Sequence, residues 1–337
     1  MAKRNYSVMK RKKSIEPAHM RFQIALETLT NANPVATQYL DLSQIASILN
    51  RRFYRQGLNW AVGSIKHMAQ TSDGSGVSGG VNIQKVPETW VMKNAWVKGF
   101  NAWQKMNREA LAESQSVKPK FLDFKIYADA DHHQAGFDAN LLPLDGSGTE
   151  YSVGEWQPSK IVVPTAGAGV TSRELLATGA SYPGSGASTL NAVSLIEGYA
   201  ASRALPQPED PHTPTDADDA SGVLPENWLA ALFNQGIAQD EEVLEDMITE
   251  NNQAPYPFED DGTNIDTMYP GGANQAPGLV DHDFQYITGT TVGGHTYLAP
   301  GCFPCGLMKI TTSANVPEGV NLFQGLFIEL VPGDHRG

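Results

Sequence analysis

The chain has 337 residues, 41% hydrophobic and 18% charged, with 32 Gly, 21 Pro and a formal net charge of −13 at pH 7. That composition excludes global disorder, allows a sizeable core and suits a β protein with many turns and long loops. No run of about 18 apolar residues is present to span a bilayer, and the basic N-terminus lacks the apolar stretch of a secretory signal, so neither membrane attachment nor export by that route is expected. Charge is unevenly spread: residues 1 to 125 hold 19 Lys and Arg against 8 Asp and Glu, a balance of +11, and the remainder stands at −24. Halves of such opposite sign predict a polyanion on one side and solvent on the other.

In chain order, residues 1–36 read as a basic N-terminal arm and lead-in. Lys3, Arg4, Lys10, Arg11, Lys12, Lys13 and Arg21 face a single acid, Glu16, within the first 22 residues. Such a segment repels itself and has little to bury, so a partner is needed to order it. Lys10 to Lys13 also reads as a nuclear-import patch. Residues 37–337 are expected to form one domain. Tyr39 to Leu42 and then Leu58, Trp60 and Val62 alternate as sandwich strands do. Between them Arg51, Arg52 and Arg55 surround Phe53 and Tyr54, either a mixture that stacks bases and holds phosphates or a surface turn with snorkelling arginines.

Thr89 caps an expected helix of about 20 residues in which Met92, Trp96, Phe100, Trp103, Met106 and Ala110 form an apolar stripe for packing on a sheet, with Lys93, Lys105 and Arg108 facing away. Leu122, Phe124, Ile126 and Ala128 alternate with Asp123, Lys125 and Tyr127 as a half-buried strand, and Ile161 to Val163 is a further short strand. From about Ser188 to Asn251 a helical, acidic insertion is expected. Leu190, Val193 and Ile196 fit one helix there, and Trp228, Leu229, Leu232 and Phe233 fit another behind Pro225. Asp216, Asp218 and Asp219 fall in an exposed loop between them. Strands return at Phe284 to Val292, Leu307 to Thr312 and Leu322 to Val331. In the last of these Leu322, Leu326, Ile328 and Leu330 share a face. Strands at both ends around a helical insertion predict a mainly β chain, a single jelly-roll sandwich whose first and last strands pair.

Catalytic anchors are scarce. There is no phosphate loop, nucleophile elbow or His-Glu-x-x-His pair, Gly74 to Gly76 and Gly167 to Gly169 lack a following helix, and no pair of carboxylates is singled out, so no enzyme is expected. Asp129, Asp131, His132 and His133 invite a metal, but adjacent histidines on a strand point to opposite faces; a structural or solvated loop is expected, and likewise at Asp281, His282 and Asp283. Cys302 and Cys305 have no second pair and read as reduced thiols. No cofactor or metal is expected.

The strings Asp41-Leu42-Ser43, Asn50 to Gly57, Asn59-Trp60-Ala61-Val62, Pro87 to Val91, Asn94-Ala95-Trp96, Glu250 to Tyr256 and Glu329 to Gly333 resemble capsid proteins of small circular single-stranded DNA viruses that encode a replication initiator. The resemblance covers nearly the whole chain from residue 37. It implies a jelly-roll subunit, self-assembly into a small icosahedral shell, and packaging of single-stranded DNA by interior basic residues, the arm from Lys3 to Arg21 foremost and Arg51, Arg52 and Arg55 beside it. The virion, and the host nucleus during assembly, are the implied locations, with a host receptor as a further partner. Two other readings compete: a β-sandwich glycan-binding module with Trp156 or Tyr182 in a sugar groove, and a non-capsid single-strand DNA-binding protein.

Overall fold

Two antiparallel sheets face each other in the computed structural model, which describes residues 19–112, 123–165, 169–204, 278–288 and 294–331. The first sheet places β1 (Arg21–Thr30), β12 (Asn321–Leu330), β3 (Asn59–Thr71) and β10 (Gly301–Pro304) side by side, and β9 (His295–Leu298) also pairs with β3. The second runs β2 (Val35–Asp41), β11 (Leu307–Asn315), β4 (Ser78–Lys85) and β8 (Val280–Ile287). The first described strand therefore pairs with the last, Ile24 opposite Leu326 and Arg21 opposite Glu329. Alternation sets this register, because a slip by one residue would turn Phe22, Ile24 and Leu26 out to solvent.

The inner faces meet in one apolar layer. Ile24, Trp60, Ile65, Phe303, Leu326 and Ile328 come from the first sheet and Leu40, Ile83, Met308 and Ile310 from the second, all buried. Each such side chain contributes roughly 1.5–3 kcal/mol relative to exposure. One tight turn crosses between the sheets: Cys305 and Gly306, at φ 59° and 73°, carry the chain from β10 of the first to β11 of the second. Burial pushes the Cys305 thiol up to about 12, so it stays protonated and inert. Both cysteines are free thiols.

The described residues between β4 and β8 form an insertion that packs against this sandwich. Thr89 caps α2 (Trp90–Ala112) through the Met92 amide, as expected. The stripe of α2 closes on Phe124, whose ring meets Trp96, Phe100 and Trp103 at 5.7, 5.7 and 5.4 Å between centroids. A small third sheet of β5 (Lys160–Thr165), β6 (Gly169–Leu176) and β7 (Ala192–Ser194), with α4 (Leu195–Ala204), completes the unit. Its core joins the sandwich through Tyr39, Val86, Cys305 and Leu307.

Several expectations need correction. The lead-in is not all arm, since Arg21–Thr30 is an edge strand of the first sheet. Leu42 opens α1 (Leu42–Asn50) instead of closing a strand. Residues 123–126 are extended without belonging to a ladder, and Tyr127, expected on the polar side, is buried with a single bridge to Leu176. The Leu190 to Ile196 segment is split between β7 and the start of α4. The insertion begins at Val86, about a hundred residues earlier than Ser188, and Asp216, Asp218, Asp219 and Trp228 to Phe233 lie outside the described residues.

The charge halves are not spatial halves either. Strands from before and after residue 125 alternate across both sheets, while residues 205–277, outside the described set, hold sixteen Asp and Glu and no Lys or Arg. The acidity belongs to one segment of the insertion, not to one half of the sandwich.

Candidate nucleic-acid interface

The basic residues gather where the chain enters the sandwich. Asp41 ends β2 and caps α1, accepting from the Ser43 amide at 2.8 Å and the Gln44 amide at 3.4 Å. That cap turns the chain across the end of the sandwich, and α1 finishes at Asn50. Asn50 then clasps the N-terminal segment: its Oδ1 accepts from the His19 amide at 2.7 Å and its Nδ2 donates to the His19 carbonyl at 3.2 Å. The next residue, Arg51, takes a left-handed φ of 51° and ends the helix. Arg51, Arg52 and Arg55 are exposed, with Phe53 38% exposed between them.

The sequence immediately before His19 carries Lys3, Arg4, Lys10, Arg11, Lys12 and Lys13, all outside the described residues. The clasp at Asn50 sets His19, the first described residue, beside the helix end that leads into the three arginines. Arg21 stands apart: its guanidinium pairs with Glu329 across the β1–β12 ladder at 2.7 Å, and that hydrogen bond raises its pKa. It is a half-neutralised cation in the folded subunit.

A second group faces solvent on the first sheet. Directly paired residues in an antiparallel ladder share a face, so Gln23, Phe327, Lys66 and Tyr297 form a row across β1, β12, β3 and β9. Tyr297 is 65% exposed and Phe323, on the same face of β12, 52%. The Lys66 ammonium lies over the Tyr297 ring, 5.7 Å from its centroid, and has no ion pair among the described residues. A groove of about 470 Å³ lies here, lined by Arg21, Gln23, Ser64, Lys66, Phe327 and Glu329. Sequence reading missed these residues, although placing Leu322, Leu326 and Ile328 inward by alternation already put Phe323 and Phe327 outward.

The Asp-x-Asp-His-His segment is not a solvated loop. Asp129 caps a short helix, α3 (Ala130–Ala135), in which both histidines are fully buried. His132 receives the Ala128 amide at Nδ1 and lies 2.8 Å from Asn140 Oδ1 at Nε2; burial lowers its pKa to about 4 and keeps it neutral. His133 Nε2 comes within 3.0 Å of Glu174 Oε2, but the pair is not aligned as a hydrogen bond. Asp129 and Asp131 both hold Lys309 at 2.9 Å. These contacts tie α3 to β6 and β11, and no group of three or more metal ligands occurs among the described residues. On β8, Asp281 accepts from Asn82, while His282 and Asp283 both bond the backbone of Ala299, between β9 and β10.

Trp156 does not line an open groove. It is buried, and its indole donates to Asp41 Oδ2 at 3.2 Å, while Gln56 Nε2 donates to the same oxygen at 3.1 Å. Burial drives Asp41 up to about 6 against the hydrogen bonds that lower it. No protein-family model, curated protein or solved structure matches this chain.

Proposed function

We propose that this chain is the coat protein of a small circular single-stranded DNA virus, a jelly-roll subunit that assembles with copies of itself into an icosahedral shell around its genome. The strand order supports it most strongly: β1-β12-β3-β10, with β9 also on β3, faces β2-β11-β4-β8, so that β1 to β4 and β10 to β12 each cross from one antiparallel sheet to the other at every step, as a double Greek key requires. Such a fold carries long insertions between strands without disturbing its core, and this chain has one between β4 and β8. The resemblance of its sequence strings to viral capsid proteins points the same way. Its role is structural rather than catalytic, and its site of action is the virion, with passage through the host nucleus during assembly.

Genome contact falls to the basic residues at the Asn50 clasp. Phosphate contacts carry no base identity, so this part of the binding has little sequence preference. Six cations precede His19, and each phosphate contact on a single strand contributes roughly 0.7 to the slope of log affinity against log salt, so full engagement gives a slope of about 4. A deletion of residues 2–18, ending before the clasp and before β1, tests this. The shortened chain is expected to keep its circular dichroism and lose most of the salt slope for an oligodeoxythymidine. An unchanged slope removes these cations from the DNA-binding role.

A further inference from the structure

We infer that the solvent face of the first sheet is a base-stacking platform for single-stranded DNA, which adds to phosphate binding by the arm a second mode of contact that reads the bases' flat faces. It rests on the coat-protein reading for its ligand and on the geometry of one face for its location.

Outward residues on this sheet fall in rows. One row is Gln23, Phe327, Lys66 and Tyr297; the next is Ala25, Gly325, Met68 and His295; Phe323 and Gln70 follow. Gly325 has no side chain and Ala25 a small one, so no bulky side chain stands on β1 or β12 between the rows of Phe327 and Phe323. Four residues of strand set those two rings roughly 13 Å apart, and two strand spacings set Phe327 and Tyr297 roughly 10 Å apart with Lys66 between them. Aromatic faces at one- to two-nucleotide spacing, interleaved with a cation, are what unstacked bases and their phosphates require.

The occupant follows from charge and continuity. Lys66 points into solvent over Tyr297 with no acid held against it among the described residues, so a phosphate completes its surroundings. Arg21 lines the groove at one edge, and the chain running back from it leads through His19 to the six-cation stretch. The second sheet offers the contrast. Its exposed aromatics, Phe284 and Tyr286, pack edge to face against each other at 4.8 Å, and the charge on β8 that shares their face is an acid, Asp281, held by Asn82 and Gln84.

The test uses the full-length protein at low ionic strength with two probes of equal length, an oligodeoxythymidine and its abasic counterpart. Tyr297 and Phe323 are the variants of choice, because both rings are more than half exposed and their loss leaves the core intact. The parent protein is expected to prefer the oligodeoxythymidine about tenfold or more. In Tyr297→Ala combined with Phe323→Ala that preference falls to near unity while the salt slope stays. Photo-crosslinking of an iodouracil-substituted strand is expected to label peptides from β9 or β12. Equal affinity of the parent protein for both probes, an undiminished preference in the double variant, or crosslinks confined to residues 1–20 would each overturn the platform. None of these outcomes bears on whether shells form, so failure of the platform is distinct from failure of the coat-protein reading. A face covered by a second copy of the chain gives the first of these results.

Discussion

The molecule has two interiors built on different principles. Between the two large sheets the contact is apolar, with Ile24, Trp60, Phe303, Ile310 and Ile328 interlocked and His67 and Gln324 as a paired polar inclusion, 3.1 Å apart. Between the sandwich and its insertion a polar seam runs beside the apolar contact. There Asp41, Gln44, Gln56, His132, Asn140 and Trp156 are all buried and hydrogen-bonded, and the bonds from Gln56 to Ile126, Asn140 to Gln44 and Trp156 to Asp41 cross 70 to 115 residues of sequence. An apolar interior tolerates exchange of one hydrocarbon for another of like volume. A buried polar seam fixes one relative placement, since each donor left without its acceptor costs about 1–3 kcal/mol. The sandwich therefore supplies stability, and the seam holds the inserted unit in register with it.

Truncation inside the sandwich sharpens that contrast most. Phe303→Ala opens a cavity in a fully buried layer and is expected to cost about 3–5 kcal/mol in urea unfolding. At the seam, Asp41→Ala removes the α1 cap and strands the Gln56 and Trp156 donors, for an expected loss of about 2–4 kcal/mol. Asp41→Asn keeps one accepting oxygen for the cap but sets an amide N–H against the Gln56 and Trp156 donors, so it is expected to cost nearly as much. A loss near zero for Asp41→Asn would show that the seam does not depend on the second carboxylate oxygen as an acceptor.

Acid titration sets the buried histidines against Asp41 by sign. His67 in the sandwich and His132 in the seam are held neutral by burial, each lowered to about 4 from 6.5. Unfolded histidines take up protons first, so their contribution is present above about 6.5 and is lost as pH falls through 4. Asp41 acts oppositely: raised to about 6 from 3.8, it contributes stability below 3.8 that is lost as pH rises through 6. Stability measured from pH 7 to pH 4 is therefore expected to decline, and more steeply in Asp41→Asn, where the opposing contribution is gone. An unaltered slope in that variant would contradict the assignment.

The smallest expected effect is on the surface. Glu329→Gln releases Arg21, adding up to one phosphate contact and raising the salt slope of DNA binding by about 0.7, with no change in fold. A flat response would show that Arg21 does not reach the DNA even when unpaired.

The strand alternation at Leu58 to Val62 and Leu322 to Leu330, and the stripe of α2, were legible because each depends on neighbours a few residues apart. The expected pairing of first strand with last holds for β1 and β12 and not for the strand at Tyr39 with which the sequence reading began, which pairs with β11. β1 was missed despite clean alternation of Phe22, Ile24 and Leu26, because the preceding cations drew the whole segment into an arm. α1 was missed although Asp41 and Gln44 stand at capping-box spacing. What no local pattern carries is the seam: His132 meeting Asn140 and Gln44, or Trp156 meeting Asp41, depends on the insertion folding back. The cations of the arm were plain in the sequence, whereas Lys66 beside Tyr297 is a neighbour only through the β3–β9 register.

Assembly remains the most direct measure of the central claim. Purified full-length protein, examined by negative-stain electron microscopy across a range of salt and pH, is expected to give closed, uniform icosahedral shells. Particles that stay monomeric or form only small oligomers under every condition would contradict it.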